Sequence, residues 1–185
     1  MLYTGTYHSP LGTLLLACSS EGLTGVWFED QKYFAAGLAP EHVELDTEDL
    51  ACTRQWLDVY FSGREPDFFP RLHLEGTPFQ RTVWELLRHI PYGTLTTYGT
   101  LARDMARAMG RIHMSAQAVG SAVGHNPVSI LVPCHRVVGT GGNLTGYAGG
   151  LDRKARLLAL EGVDPERLRL PRNSSHKAQQ PDSTS

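Results

Sequence analysis

One short segment of the chain carries the residue types that nucleophilic chemistry needs. Pro133 is followed directly by Cys134, His135 and Arg136. A cysteine attacks through its thiolate, whose formation is favoured by cationic or hydrogen-bonding neighbours. The β-branched residues before Pro133 predict a strand that ends at the cysteine, and adjacent residues of a strand point to opposite faces. We therefore expect His135 to reach Cys134 through a bridging water.

A histidine that relays a proton also needs a carboxylate to orient its other ring nitrogen. The candidates in the carboxyl-terminal part of this region are Asp152 and Glu161. Glu161 ends an amphipathic helical pattern over 151–161, just before Gly162, and we predict that it is the partner of His135. A neighbouring cysteine and histidine can also be structural, so the pair alone does not define an active site.

The elements before residue 76 predict a small strand-rich unit. Patterns of β-branched and aromatic residues between Gly and Pro breaks indicate an antiparallel meander with strands at 3–8, 13–18 and 23–28. An apolar face at helical spacing predicts a helix over 47–63, capped by Thr47.

The elements after residue 76 predict a mostly helical unit. Thr77 and Gln80 form a capping box, which opens a helix that ends at 91–93. Two short helices follow, over 98–108 and 116–124, as in a helix-turn-helix. The second consists mainly of Ala and Gly, so its backbone can approach another surface closely. A tightly packed structural helix would have the same composition.

Composition and charge limit the function classes. The apolar runs are far shorter than the roughly 20 residues of a membrane span, and no signal peptide is visible, so we expect a cytoplasmic protein with no membrane partner. Three cysteines without a C-x-x-C pair predict neither a disulfide framework nor a metal site. The net charge is −8 over residues 1–78 and +6 over 79–160, which is typical of a polyanion-binding unit joined to an acidic one.

A set of short sequence segments, in a fixed order along the chain, resembles the motifs of one family. These are residues 76–80, 83–84, 90–93, 98, 118–120, 126–127, 133–137, 146–147, 149–150, 154, 157–158 and 161–162. Together they resemble the O6-alkylguanine-DNA alkyltransferases, densely over about residues 75–163. The first 74 residues resemble the family's variable amino-terminal domain only in size and strand content.

The resemblance implies a fold and a partner. We expect an α+β protein with a small strand-rich amino-terminal domain over 1–75, an antiparallel sheet plus a helix. A mostly helical domain over 76–165 would carry a winged-helix-like helix-turn-helix, and 166–185 would be a disordered tail. The partner would be double-stranded DNA containing O6-alkylguanine, bound through the minor groove by a monomer, near the nucleoid of a prokaryote. The damaged base would be swung out of the stack into a pocket.

The resemblance also implies a reaction and residue roles. Cys134 would take the alkyl group from O6 of guanine, and from O4 of thymine, in one irreversible turnover without a cofactor or metal. His135, Glu161 and water would carry the proton, Tyr98 or Lys154 would neutralise the departing oxygen, and Asn126 would brace the turn before the active site. The expected DNA and substrate contacts are Thr97, Tyr98, Ser115, Gln117, Ala118, Gly120, Arg136, Val137, Tyr147, Ala148 and Gly149.

Two departures from the family pattern stand out. Gln117 occupies the place at which members usually carry an intercalating arginine. The link between the two helices, over 105–114, is longer than usual and contains Arg107 and Arg111, which could make extra phosphate contacts.

Three alternatives stay open. A lesion-binding relative would lack the nucleophile, a transcriptional regulator would carry an added cysteine-rich sensor domain, and a cysteine hydrolase would turn over many times on small esters or amides.

Overall fold

The amino-terminal sheet follows the predicted meander. A computed structural model describes residues 1–170. Strands β1 (Leu2–Ser9), β2 (Gly12–Ser19) and β3 (Gly22–Phe28) pair antiparallel in sequence order. A short fourth strand that the sequence analysis did not predict, β4 (His42–Glu44), pairs parallel with β1, which gives the order β3-β2-β1-β4. All three residues of β4 are exposed, so no apolar alternation marks it.

Helix α1 (Glu48–Phe61) packs against this sheet. The Thr47 hydroxyl accepts a hydrogen bond from the Leu50 amide at the start of the helix, which confirms the predicted cap. The helix buries its apolar face, including Trp56 and Tyr60, in the core.

The second half contains the four helices that the sequence predicts. They are α2 (Pro78–Arg88), α3 (Tyr98–Ala108), α4 (Ala116–Gly124) and α5 (Leu151–Leu160). Thr77 and Gln80 form both bonds of the predicted capping box, and the hydroxyls of Thr97 and Ser115 cap α3 and α4. Two short strands, β5 (Thr96–Thr97) and β6 (Val137–Val138), form a parallel pair beside these helices.

The prediction of a strand before Pro133 is wrong. Only Val128 of this segment bridges to the sheet, at Val26, and Ile130 turns the chain with a φ of 72°. Local bonds use the backbone polar groups, since the amide of Val132 donates to Val128 and that of Cys134 to Val132. The β-branched side chains are fully buried, so their composition reflects the core rather than a strand. Cys134 instead opens a short 3-10 helix, Cys134–Arg136.

The two halves share one hydrophobic core. The Val26 amide donates to Pro127 at 2.9 Å and the Ser129 amide returns a bond to Val26 at 3.0 Å, so the segment after α4 is tied to the edge of β3. Buried side chains of the sheet, α1, α2, α3 and α4 form a single cluster. Because this segment leads directly to Cys134, the sheet helps to position the cysteine.

The start of the expected tail is structured. Residues Pro165–Arg167 form a 3-10 turn, and Arg169 exchanges two backbone bonds with residues 142 and 144. The rest of that tail, residues 171–185, lies outside the described residues. Within residues 1–170, no helix is long and apolar enough to cross a membrane.

The capping box allows a test of the fold. Replacing Thr77 with Ala removes the acceptor for the Gln80 amide, so we expect the free energy of unfolding to fall by about 1 kcal/mol in urea denaturation. Thr77→Ser keeps the hydroxyl and should stay close to the original protein. Equal stability of the Ala variant and the original protein would show that the box contributes nothing.

Candidate active site

A buried carboxylate, that of Glu161 at the end of α5, is the centre of the site. Its Oε1 accepts hydrogen bonds from Tyr60 Oη at 2.8 Å, His135 Nε2 at 2.6 Å and Arg136 Nη2 at 3.0 Å. Its Oε2 accepts from Arg136 Nε at 2.9 Å and from the Gly93 amide at 3.0 Å. The glutamate thus joins α1, the turn after α2 and the 3-10 helix of Cys134. The predicted partner of His135 lies where the sequence analysis expected it.

The charge state of Glu161 fixes the tautomer of His135. Burial alone would raise the pKa of Glu161, but the hydrogen bonds from His135 and Arg136, together with the charge of Arg136, hold it well below its usual value. An ionised carboxylate only accepts hydrogen bonds, so Nε2 of His135 must carry its proton. Burial also lowers the pKa of His135, which keeps the ring neutral near pH 7. The other ring nitrogen, Nδ1, is left with a free lone pair.

The residue that carries this lone pair directly follows Cys134 in the chain. His135 Nδ1 is buried and has no hydrogen-bond partner within residues 1–170. Cys134 precedes it in the same 3-10 turn, and only 6% of the residue is exposed. Burial raises the pKa of the Cys134 thiol. This rise is partly offset by the Asn126 amide, the Lys154 ammonium and nearby backbone amides, which lower the pKa. A buried basic nitrogen on the residue that follows a buried thiol can remove the thiol proton through a bridging water.

Asn126 holds the turn that leads to Cys134. Its Nδ2 donates to the Val132 carbonyl at 2.8 Å and the Val128 carbonyl at 3.3 Å, and its Oδ1 accepts from the Val128 amide at 3.0 Å. One side chain thus replaces the ladder bonds that a strand would have made.

Lys154 ties together the two segments that border the cysteine. Its fully buried Nζ donates to the carbonyls of Val137, Thr145 and Gly146. Burial lowers its pKa to about 8, and a thiolate at Cys134 would oppose this shift. Because the three hydrogen bonds occupy all three ammonium hydrogens of Lys154, they favour a positioning role over the proton-donating role implied by the resemblance.

A cleft of about 360 Å³ lies next to these residues. One wall contains Tyr98, Gly120, Tyr147 and Ala148. Tyr98 Oη donates to the Thr145 carbonyl at 3.0 Å, and its pKa is raised to about 12, first by burial and then by the nearby Cys134. Tyr147 Oη is buried without a hydrogen-bond partner among the described residues. Two unpaired polar atoms around one cysteine, Tyr147 Oη and His135 Nδ1, are typical of a site that receives a ligand or water.

The remaining predicted contacts divide between the surface and the interior. Gln117 and Ala118 are exposed on the first turn of α4, after the cap Ser115, and Thr97 caps α3. Val137 and Gly149 are buried, and a Cβ on Gly149 would lie 2.8 Å from the ring of Tyr147.

The structure contradicts the predicted DNA contact of Arg136. Its Nε and Nη2 donate to Glu161, and its Nη1 donates to the Ile90 carbonyl at 2.6 Å. The guanidinium is buried, and a buried charge is stable only when it is paired and hydrogen-bonded. Arg136 therefore belongs to the network of Glu161.

The sequence analysis missed three residues of the amino-terminal half. Tyr60, which lies on the apolar face of the helix predicted over 47–63, donates to Glu161, and a buried tyrosine hydroxyl usually has such a partner. Lys32 and Tyr33 also line the cleft, where the Lys32 amide donates to the Ala148 carbonyl at 2.9 Å and the Tyr33 ring stacks on His125 at 4.1 Å. No local pattern marks Lys32 or Tyr33, because their role arises only from the docking of the two halves.

No metal cluster accompanies the site in the part of the chain that the structure describes. Within residues 1–170, no group of three His, Cys, Asp or Glu side chains could hold a metal ion. The three cysteines are free thiols.

Comparisons with known proteins agree over nearly the whole described chain. A family model described as 6-O-methylguanine DNA methyltransferase, DNA binding domain, matches residues 78–163, and one described as 6-O-methylguanine DNA methyltransferase, ribonuclease-like domain, matches residues 2–74. A methylated-DNA--protein-cysteine methyltransferase of Methanosarcina acetivorans is 42% identical over 161 residues, which cover 87% of this chain and 99% of the relative. One of Mycolicibacterium paratuberculosis is 44% identical, with coverages of 87% and 93%.

Solved structures give the same result. Mycobacterium tuberculosis OGT in complex with DNA superposes with a TM-score of 0.74 at 38% identity, over 90% of this chain and 94% of that one. The O6-methylguanine methyltransferase of the same organism superposes with a TM-score of 0.72 at 40% identity, over 87% and 93%.

The carboxylate network predicts a dependence of stability on pH. Glu161→Gln keeps the shape but leaves Arg136 buried without a counter-charge, so we expect a loss of about 3–5 kcal/mol in the free energy of unfolding near pH 7. Because the folded state lowers the pKa of Glu161, this advantage of the original protein is complete above the unfolded value of about 4.3 and declines as the pH falls below it.

Urea denaturation between about pH 7 and pH 3 measures the difference. Asp152→Asn, on an exposed carboxylate of the same helix, is the matched control and should change little. A difference between the original protein and Glu161→Gln that grows on acidification would contradict the network.

Proposed function

Because the chain belongs to the 6-O-methylguanine DNA methyltransferase family, we propose that Cys134 is the cysteine through which it acts. The chain is a DNA repair protein that transfers an alkyl group from damaged DNA to one of its own cysteines. DNA is its partner. Which cysteine reacts, which lesion is bound and how the DNA is held are the subject of the proposal.

The observation that carries the assignment is the buried pair of His135 and Glu161 beside one of three thiols. The Cys18 thiol lies on β2 and contacts the Thr47 hydroxyl at 3.2 Å, and Cys52 lies on α1. Neither has a histidine next to it in the chain, whereas Cys134 has the free Nδ1 of His135 and lies close to Tyr98 and Tyr147 of the cleft. Of the three thiols, that of Cys134 is the one that has both a histidine next to it in the chain and two residues of the cleft nearby.

The proposed reaction is a single displacement. The thiol proton of Cys134 passes through a water to Nδ1 of His135, and Glu161 stabilises the imidazolium that forms. Sγ then attacks the alkyl carbon, so that the new S–C bond forms while the C–O6 bond breaks and its electron pair returns to the guanine. The imidazolium returns the proton through water to the guanine, which leaves as the normal base, and His135 becomes neutral again. The thioether on Cys134 has no route back, so each molecule reacts once without a cofactor.

We propose that α4 lies in the minor groove and that the cleft takes the extruded base. The residues Gln117, Ala118 and Ser121 of α4 are exposed, and their small neighbours let the backbone approach the DNA. Gln117 would fill the gap that the base leaves, and Tyr98, at the cleft wall, would hold the extruded nucleotide. O6-alkylguanine is the proposed main lesion, with O4-alkylthymine as the second.

The proposal extends to organisation and location. We assign residues 1–75 and 76–165 to two units that share a core and act as a monomer. A place in the cytoplasm, at the nucleoid of a prokaryotic cell, follows from a chromosomal DNA substrate.

Methyl transfer from a duplex containing O6-methylguanine tests the nucleophile. Cys134→Ser should lose transfer completely while it still binds DNA, because serine lacks a readily ionised thiol. Cys18→Ser and Cys52→Ser are the matched controls and should transfer one methyl group per protein. Transfer by Cys134→Ser would overturn the assignment, and many turnovers per molecule would indicate a hydrolase instead.

The uncharged side chain of Gln117 predicts that an added positive charge at this position strengthens DNA binding. Gln117→Arg adds a cation to the DNA-facing turn of α4, so we expect tighter binding to duplex DNA and a log–log salt dependence steeper by about 0.9. Gln55→Arg makes the same change on an exposed position of α1 and should leave both unchanged. Equal affinity and salt slope for Gln117→Arg and the original protein would show that position 117 does not contact the DNA.

A further inference from the structure

The link between α3 and α4 is held in a defined shape. Helix α3 ends in a Schellman motif, in which the Gly110 amide donates to Arg107 at 3.1 Å and the Arg111 amide to Ala106 at 2.7 Å. Gly110 adopts the left-handed φ of 63° that this motif needs. At the other end, Met114 is buried in the core next to the cap Ser115. The residues between these two anchors are therefore presented in a fixed position.

The tip of the link is both apolar and basic. Ile112 is completely exposed, although isoleucine is among the most buried residue types. Arg111 and His113 on either side of it are exposed as well, and Met109 is partly exposed. A single exposed apolar residue is ordinary on a protein surface, and it indicates a binding surface only together with its neighbours.

The surrounding charges point to a polyanion. Helix α4, Ala116–Gly124, contains no charged residue, so any electrostatic attraction for DNA at this helix must come from its neighbours. Helix α3 and the link supply Arg103, Arg107 and Arg111. The one acidic residue among them, Asp104, contacts Arg107 at 3.4 Å, and 80% of that arginine side chain stays exposed.

We propose that the α3–α4 link, residues 109–114, is a second DNA contact that adjoins α4, and this inference rests on the proposed function of α4. Arg111 contacts a backbone phosphate, and Ile112 packs against the sugars and base edges of the groove that α4 enters. Apolar side chains inserted beside basic ones are a recurrent means of binding the minor groove. The link thereby supplies the charge that α4 lacks.

The test separates the charged contact from the apolar one. Binding of the full-length protein to an undamaged duplex is measured by fluorescence anisotropy over a range of salt concentrations. Arg111→Ala should weaken binding about fivefold to tenfold and lower the log–log salt slope by about 0.9. Ile112→Ser should weaken binding several-fold with an unchanged slope, because it releases no counterion.

Matched controls use the same changes on the amino-terminal half. Arg64→Ala removes an exposed arginine after α1, and Leu45→Ser removes an exposed apolar side chain after β4. Both should bind DNA as the original protein does. The melting temperature should be the same for all four variants, since all four side chains are exposed. The single-turnover rate of methyl transfer should be unchanged in Arg64→Ala and Leu45→Ser.

The outcomes distinguish this proposal from the proposed function. Unchanged affinity and slope in both link variants, with normal methyl transfer, would overturn the link contact and leave the function intact. A change in self-association without a change in DNA affinity would also overturn it, since the surface would then serve a second copy of the chain. Failure of the original protein to transfer methyl would overturn the proposed function. The DNA affinities of the link variants would still show whether the link contacts DNA.

Discussion

The burial of the Glu161 carboxylate is the constraint on which the rest of the structure depends. An isolated charge costs several kcal/mol to remove from water, so the fold is stable only if every lone pair of this carboxylate finds a donor. The donors come from α1, the turn after α2 and the 3-10 helix of the cysteine, while the glutamate itself ends α5. These four elements must dock in one arrangement to supply them. The interaction that assembles the two halves is therefore also the one that sets the tautomer of His135.

The same logic explains the shape of the cleft. Lys154 and Asn126 each use side-chain donors to fix backbone carbonyls that no strand or helix satisfies. Irregular backbone can then border the cysteine closely without leaving buried polar groups unpaired. The amino-terminal half contributes Lys32 and Tyr33 to the lining of the cleft. The acidic amino-terminal half of the chain therefore lines the cleft as well as packing against the half that carries the cysteine.

Local signals in the sequence predicted the helices and the main pair of the site. Thr77, Thr97 and Ser115 cap helices because their hydroxyls satisfy backbone amides within a few residues, which is a property of the local sequence. Glu161 could be paired with His135 because the chemistry of a proton relay demands a carboxylate.

What the sequence did not predict depends on tertiary structure. The β-branched run before Pro133 imitates a strand but is buried in a turn, because burial favours the same side chains. The family resemblance implies a DNA or substrate contact for Arg136, and only the folded network shows that its donors are used within the protein. Tyr60 joins Glu161 across 101 positions of the chain, which no local pattern can show.

The tautomer of His135 tests the central claim most directly. Long-range ¹H–¹⁵N correlation spectra of histidine-labelled protein distinguish the two ring nitrogens, and the His135→Gln variant assigns the signal among the eight histidines of the chain. Our account predicts a neutral ring with the proton on Nε2 and an unprotonated Nδ1, unchanged between about pH 6 and pH 8. A proton on Nδ1, or a ring that titrates near its usual pKa, would contradict the arrangement in which Glu161 prepares His135 to take the proton of Cys134.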